Sequence, residues 1–215
     1  MPARPRTSPR STPQQFPSLD EEQSLAMQGY CRIAGVDEAG RGSWAGPLEA
    51  SAVRLPAPNG TLLTLQDGVR DTKQLTAGRR CAVDVGLGVV SPATIDRIGL
   101  ARAGEVSMLW AVEDMDRQPD CLLIDAFALR GCALHQRPVI HGDCISLSIA
   151  AASIVAKVAR DLMMQAADAV FPGYGFQLHK GYGTDYHKKA LERLGPCRYH
   201  RCSFEPIHAA GEMLI

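Results

Sequence analysis

The sequence lacks any long apolar run; its longest strictly hydrophobic stretches fall far short of the ~20 residues that cross a bilayer as a helix. Arginines near the N-terminus have no apolar segment behind them, so the pattern of a secretory signal is missing too. Net charge is also lacking. The 23 Lys and Arg balance 23 Asp and Glu, and bulk electrostatics give no hint of a polyanionic partner. Cysteine is present seven times, at 31, 81, 121, 132, 144, 197 and 202, an odd set without a C-x-x-C pair. Several lie in apolar runs, as Cys121 does before Leu122, Leu123 and Ile124. That pattern argues against a disulfide frame or a zinc site and predicts reduced thiols in a cytoplasmic protein. There are no internal repeats. What remains is 215 residues with 46% apolar content, enough to bury one good-sized core.

Residues 1–19, rich in Pro, Ser, Thr and Arg, read as a disordered tail, and residues 20–215 as the folded unit. A short helix is expected over 21–29, and strands over 31–37, 48–55 and 82–90. One or two amphipathic helices follow over 95–115. Further strands are expected over 121–124 and, very short, over 138–141. A long helix spans 148–170, its buried stripe read as Ile149, Ala152, Val155, Ala159 and Leu162 or Met163. Thr184 or Asp185 caps a helix to about Leu194, where Gly195-Pro196 stops it, and the remainder reads as irregular. The order predicts an α/β fold, a mixed sheet flanked by helices with a helical C-terminal part from about residue 165. Between 177 and 201, Lys180, Lys188, Lys189, Arg193, Arg198 and Arg201 face only Asp185 and Glu192. This is a candidate phosphate-facing patch, although a solvated helical face explains it as well.

The informative stretch is Gly35-Val36-Asp37-Glu38-Ala39-Gly40-Arg41-Gly42. An apolar strand runs into two adjacent carboxylates, and a glycine-flanked arginine follows. Neighbouring strand residues point to opposite faces, but at a strand tip both acids can reach one point. Asp125 after Leu122-Leu123-Ile124 and Asp143 after Val139-Ile140-His141-Gly142 repeat the context of an acid at a strand end. If those strands are neighbours, Asp37, Glu38, Asp125 and Asp143 converge, and their repulsion calls for cations. Hard oxygen donors suit Mg²⁺ or Mn²⁺, and four such acids describe a two-metal phosphoryl-transfer centre. Ordinary turn aspartates, with Arg41 pairing Glu38, are the competing account.

These residues also carry a resemblance. The octet with Ala45-Gly46-Pro47 is similar to the opening motif of bacterial type 2 ribonucleases H, the ribonuclease HII family. The similarity continues through Asp71-Thr72-Lys73, Leu123-Ile124-Asp125, Gly142-Asp143 and the run from Ser146 to Asp161. It ends with Pro172-Gly173-Tyr174-Gly175-Phe176, His179-Lys180-Gly181-Tyr182-Gly183-Thr184 and Arg201-Cys202-Ser203-Phe204. The resemblance implies a ribonuclease H-like mixed sheet with a C-terminal helical extension. It implies an endonuclease that cuts the RNA strand of RNA–DNA hybrids and nicks DNA 5′ of embedded ribonucleotides, leaving a 3′-hydroxyl and a 5′-phosphate. Its metal ligands map onto Asp37, Glu38, Asp125 and Asp143. Gly40, Arg41 and Gly42 match the loop that reads the ribose 2′-hydroxyl, and Tyr182 matches the tyrosine that stacks at the RNA–DNA junction. Among the lysines, Lys73 is a candidate for a phosphate or an active-site acid, with a surface lysine the competing reading. Lys180, in the second glycine loop, is the better phosphate candidate. Two divalent ions, a hybrid or ribonucleotide-containing duplex as partner, no membrane and a monomer complete the expectation.

Other residues draw structural readings. Asp161 is expected to pair with Lys157 or Arg160, Tyr174 to pack, and His141 to be a core or edge histidine. The chain departs from the family pattern at Ser43-Trp44, Cys144-Ile145 and Ala126, where glycine is frequent and a negative φ would make alanine tolerable. Three rival readings are a hybrid-binding module without catalysis, the related ribonuclease HIII, and a Mg²⁺-dependent phosphatase. The four acids, the short N-terminal segment and the two glycine loops argue against them in turn.

Overall fold

A computed structural model describes residues 16–56 and 83–212. Among them, helix α1 (Asp20–Met27) leads into strand β1 (Ile33–Ala39), which hairpins to β2 (Leu48–Arg54). Strand β3 (Asp84–Val90), helices α2 (Pro92–Ile98) and α3 (Leu100–Glu113), and strands β4 (Cys121–Asp125) and β5 (His135–Val139) follow. The long helix α4 (Leu147–Val170), the single turn α5 (Phe176–His179), α6 (Asp185–Leu194) and α7 (Glu205–Glu212) close the chain. The sheet order is β3-β2-β1-β4-β5. β1 pairs antiparallel with β2 and parallel with β4, so the sheet is mixed, as expected.

Small residues let the two helical layers lie flush on the sheet. A Cβ on Gly35 of β1 would stand 2.1 Å from the backbone of Ser148, where α4 begins. A Cβ on Gly88 of β3 would stand 1.9 Å from the carbonyl of Ser107 in α3. The glycines that punctuate the third strand are therefore the contact surface of a helix. Ala34, Val36, Ala50, Ala52, Met108, Ala111, Leu122 and Ile124 form the core on the α3 side. Leu25, Cys121, Leu123 and Ile149 form the α1–α4 side. A third cluster (Ala45, Met164, Tyr174, Phe176, Leu191 and Ile207) binds the C-terminal helices to the end of α4.

Several expectations need correction. β5 begins at His135 and ends at Val139, pairing Cys121 with His135. Its polar first half, His-Gln-Arg, carries no hydrophobic signal because it is a half-exposed edge. The buried stripe of α4 is Ile149, Ala152, Ala156, Arg160, Met164 and Ala167. Of the expected stripe, Ile149 and Ala152 are buried, Val155, Ala159 and Met163 lie half-buried at its flank, and Leu162 is exposed. The stretch after Gly195 is not all irregular, since α7 forms with Pro206 in its first turn, where a missing N–H costs nothing. Residues 1–15 lie outside the described part, but Ser18 N–H donates to Ile145 O and Leu147 N–H donates to Ser18 O. Composition gave no sign of that docking.

Candidate active site

The two acids of the octet lie inside β1, which runs on to Ala39, and not beyond its end. Their setting comes from where pairing stops on one side. Val36 opposite Ile124 is the last β1–β4 pair, while β2 continues opposite Asp37, Glu38 and Ala39. Asp37 and Asp125 each follow that last pair in parallel register, so they share a sheet face, the one covered by α4. Glu38 alternates to the other face. The half-open strand edge lets all three interact.

Asp37 is 7% exposed. Glu38 N–H donates to Asp37 Oδ1 at 2.7 Å, and the Ser153 side chain of α4 hydrogen-bonds the same carboxylate. Burial nonetheless pushes the Asp37 carboxyl up to about 7, and the charges of Glu38 and Asp125 add to the rise. Burial also raises Glu38, against the pull of Arg41, with Asp125 again raising it. Asp125 Oδ1 accepts the Gly142 N–H at 2.8 Å, which ties the end of β4 to the 3₁₀ turn Gly142–Cys144. Asp143 sits in that turn with its side chain exposed. The Cys144 thiol is pushed up mainly by Asp143, with Asp125 contributing, so it stays protonated.

Three carboxylates thus act on one another, and the fourth is one residue from an amide bound to the third. Among the described residues, no three His, Cys, Asp or Glu side chains are drawn tightly enough to hold an ion as they stand. Arg41 pairs with Glu38, and the Gly142 amide donates to Asp125. The donor set fits hard divalent cations. It consists of carboxylate oxygens, one of them buried and disfavoured as an anion until a cation joins it.

Arg41 Nη1 donates to Glu38 Oε1 at 2.9 Å, and its guanidinium lies 5.7 Å from the Phe127 ring. Gly40 has φ 90°, and a Cβ there would collide with Arg160, so this glycine serves packing. Gly42 has open space around it. Lys180 Nζ donates to Gln177 O at 2.6 Å, within its own turn. Tyr182 is 44% exposed, its ring 5.6 Å from the Arg160 guanidinium. Lys73, with Asp71 and Thr72, lies outside the described residues. Asp161 pairs with Lys157 at 2.7 Å, and Tyr174 is buried against Phe176, as read. His141 is neither core nor edge but an exposed turn residue with φ 56°. Ala126 has φ 65°, not the negative value that would suit alanine. Trp44 packs against Gly183, where a Cβ would touch its ring. The basic patch shrinks on inspection: Arg201 is fully buried and Arg193 donates to Gly173 O.

Sequence reasoning missed the frame that holds these loops. Arg160 donates to Pro47 O, Ser43 Oγ and Ala45 O, and Arg201 to Gly46 O, Arg41 O and Pro47 O. Two buried guanidiniums therefore fix the chain from 41 to 47. The fully buried Glu49 carboxyl has no hydrogen-bond partner among the described residues; burial raises it to about 7, against the pull of Arg160. Trp44 N–H donates to Gly181 O at 2.8 Å, joining the Gly-Arg-Gly turn to the Tyr182 loop.

The family model of ribonuclease HII matches residues 34–207, from the start of β1 into α7. The chain belongs to the ribonuclease HII family. The ribonuclease HII of Chloroflexus aurantiacus is 46% identical over 201 residues, covering 89% of this chain and 95% of the relative. That of Roseiflexus castenholzii is 44% identical over 200 residues, covering 89% of each. The fold matches the ribonuclease H2 of Pyrococcus horikoshii with a TM-score of 0.69 at 24% identity, over 85% of this chain and 98% of that one. A ribonuclease HIII solved with Mn²⁺ matches with a TM-score of 0.65 at 18% identity, over 88% and 72%. As a ribonuclease HII, the protein is an endoribonuclease of a family that depends on divalent metal. Among the described residues no helix is long and apolar enough to cross a membrane.

Proposed function

We propose that this ribonuclease HII hydrolyses the RNA strand of RNA–DNA hybrids and nicks duplex DNA on the 5′ side of an embedded ribonucleotide. The products are a 3′-hydroxyl and a 5′-phosphate. The observation that carries the reading is the shared register of Asp37 and Asp125, which sets two carboxylates on one sheet face with Glu38 beside them. Asp37, Glu38, Asp125 and Asp143 are assigned as the holders of two divalent ions, Mg²⁺ or Mn²⁺. Such ions, when bound, lower the pKa of water at the site and offset the charge that develops on the leaving oxygen.

The chain's own residues bind and orient. Arg41 keeps Glu38 in place through its ion pair, and the Gly142 amide keeps Asp125 turned toward the turn that carries Asp143. The 2′-hydroxyl is the one local group that separates a ribonucleotide from DNA. The turn at Gly40, Arg41 and Gly42, braced by Arg201 on Arg41 O, is assigned to test for it with backbone groups. Tyr182, half out of the surface, stacks on the deoxyribose side of the junction, where a second 2′-hydroxyl would crowd its ring. Lys180 and Lys73 are assigned to phosphates. The protein is taken to act as a monomer in the cytoplasm, in keeping with free thiols at 31, 121, 132, 144, 197 and 202.

The test is cleavage of a DNA duplex carrying one ribonucleotide, wild type beside Asp37→Asn, in Mg²⁺ and in Mn²⁺. Cutting 5′ of the ribonucleotide by the wild type alone is expected. Binding without cutting in both metals would make the protein a recognition module instead.

A further inference from the structure

Beneath the Tyr182 loop lie three buried imidazoles, His179, His187 and His200, whose ring nitrogens are all hydrogen-bonded. Their partners dictate where each proton sits, because a neutral imidazole has one donor and one acceptor. Gly181 N–H donates to His179 Nδ1 at 3.1 Å, so the proton is on Nε2, which donates to Tyr174 O at 2.9 Å. Cys197 N–H donates to His200 Nδ1 at 2.9 Å, which puts the His200 proton on Nε2. Cys197 Sγ and Cys197 O also lie 3.2 Å from that Nδ1, and the other end of the row decides the assignment. The Tyr182 carbonyl can only accept, which requires the His187 proton on Nδ1 and leaves His187 Nε2 as an acceptor. His200 Nε2 stands 3.0 Å from His187 Nε2, and one proton fits between them. It belongs to His200. His187 must then carry its proton on Nδ1, 3.0 Å from Tyr182 O.

The result is a one-way chain of donors from the Cys197 amide through His200 and His187 to the Tyr182 carbonyl. Burial pushes His187 and His200 down to about 4, so both rings are neutral at neutral pH and the chain is intact. The cluster is not a metal site. His179 and His187 stack face to face, centroids 4.4 Å apart and 15° from parallel, with no ring nitrogen to spare.

We propose that His187 and His200 are positioning residues whose fixed tautomers hold the Tyr182 carbonyl, and with it the ring that meets the RNA–DNA junction. The proposal deepens the stacking role given to Tyr182 above and rests on it. The Tyr182 carbonyl also accepts the Thr184 N–H at 2.8 Å, Tyr182 N–H donates to His179 O, and Gly181 O ties the loop to Trp44 and Ala45. The relay thus adds a side-chain tie to a loop otherwise held by backbone.

Proton–nitrogen correlation spectra of the ¹⁵N-labelled full chain read every imidazole tautomer without substrate or variant. His187 is expected as the Nδ1–H form, and His179 and His200 as Nε2–H forms, at neutral pH. An Nε2–H His187, or an imidazolium at either relay position, overturns the proposal. The second arm compares nicking at one ribonucleotide with cutting of a long hybrid by His187→Phe and His187→Asn. Phenylalanine keeps the ring without the donor, while the asparagine amide occupies the Nδ1 position and donates. His187→Phe is expected to lower the junction-to-hybrid ratio on the order of tenfold, and His187→Asn to recover most of it. Equal losses on both substrates, or no difference between the variants, overturn it. Correct tautomers together with an unchanged ratio in Tyr182→Ala overturn it at the stacking role and leave the relay geometry standing.

Discussion

Arg160 Nη2 donates to Ser43 Oγ at 2.7 Å, joining the middle of α4 to the turn that follows the paired acids across 117 positions. The same guanidinium holds Pro47 O and Ala45 O and is the cation nearest in effect to the buried Glu49. Removing it leaves Ala45 O without this donor and the buried Glu49 without its cation, while Pro47 O keeps its bond from Arg201. Arg160→Met is therefore expected to cost roughly 3 kcal/mol or more of stability, which chemical denaturation measures directly. A loss below about 1 kcal/mol would mean that water replaces the arginine without strain.

The carboxyls of Asp37 and Glu49 have folded pKa values raised to about 7 from ordinary values near 4, so the folded protein holds protons there that the unfolded chain releases. Their contribution is full below the unfolded values and is lost as pH rises through about 7. In chelator, melting temperature should fall across that window. Asp37→Asn should flatten the fall and raise stability at mildly alkaline pH while abolishing cleavage. Mg²⁺ should restore the wild type's melting temperature and leave the variant's nearly unmoved. A wild-type profile that rises with pH through this range would contradict the burial argument.

Tyr182→Ala should hurt nicking at a single ribonucleotide more than cutting of a long hybrid, because only the former depends on one junction. Kinetics on the two substrates side by side decide it. An equal loss on both removes the stacking role.

Ala126 immediately follows Asp125 and holds φ 65°, a region that costs an L-residue about 1–2 kcal/mol. Glycine would relieve that cost and give back part of it in chain entropy. Ala126→Gly should therefore stabilise the fold by roughly 0.5–1 kcal/mol, read as a raised denaturation midpoint. A lowered midpoint would show that the alanine methyl makes a contact worth more than the strain.

Much of the sheet was legible in the sequence because apolar runs and strand ends are local signals, although Asp37 and Glu38 fall inside β1 and not at its end. Leu122-Leu123-Ile124 must be buried, and Asp125 behind it must sit at a rim. Thr184 accepting the His187 N–H at the start of α6 was likewise readable from one residue and its spacing. The frame around the site was not, since it depends on contacts between residues more than a hundred positions apart. Arg160 did leave a trace: it falls on the same helical side as Ile149, Ala152, Ala156 and Met164, where a charge has no business without partners. The apolar Val155 and Ala159, one position short of Ala156 and Arg160, hid that trace by continuing the pattern on the flank of the stripe. The histidine relay left none, because tautomers follow from who donates to whom.

Gly35 leaves no room for a methyl group between β1 and Ser148. Two residues on, along the same side of the strand, lies Asp37, and one turn and a half along the helix lies the Ser153 that bonds it. An alanine at 35 would wedge the strand from the helix like a shim under a hinge plate. The depth at which the first acid sits, and so the readiness of its carboxyl to give up a proton, is thus governed by the glycine that opens the octet.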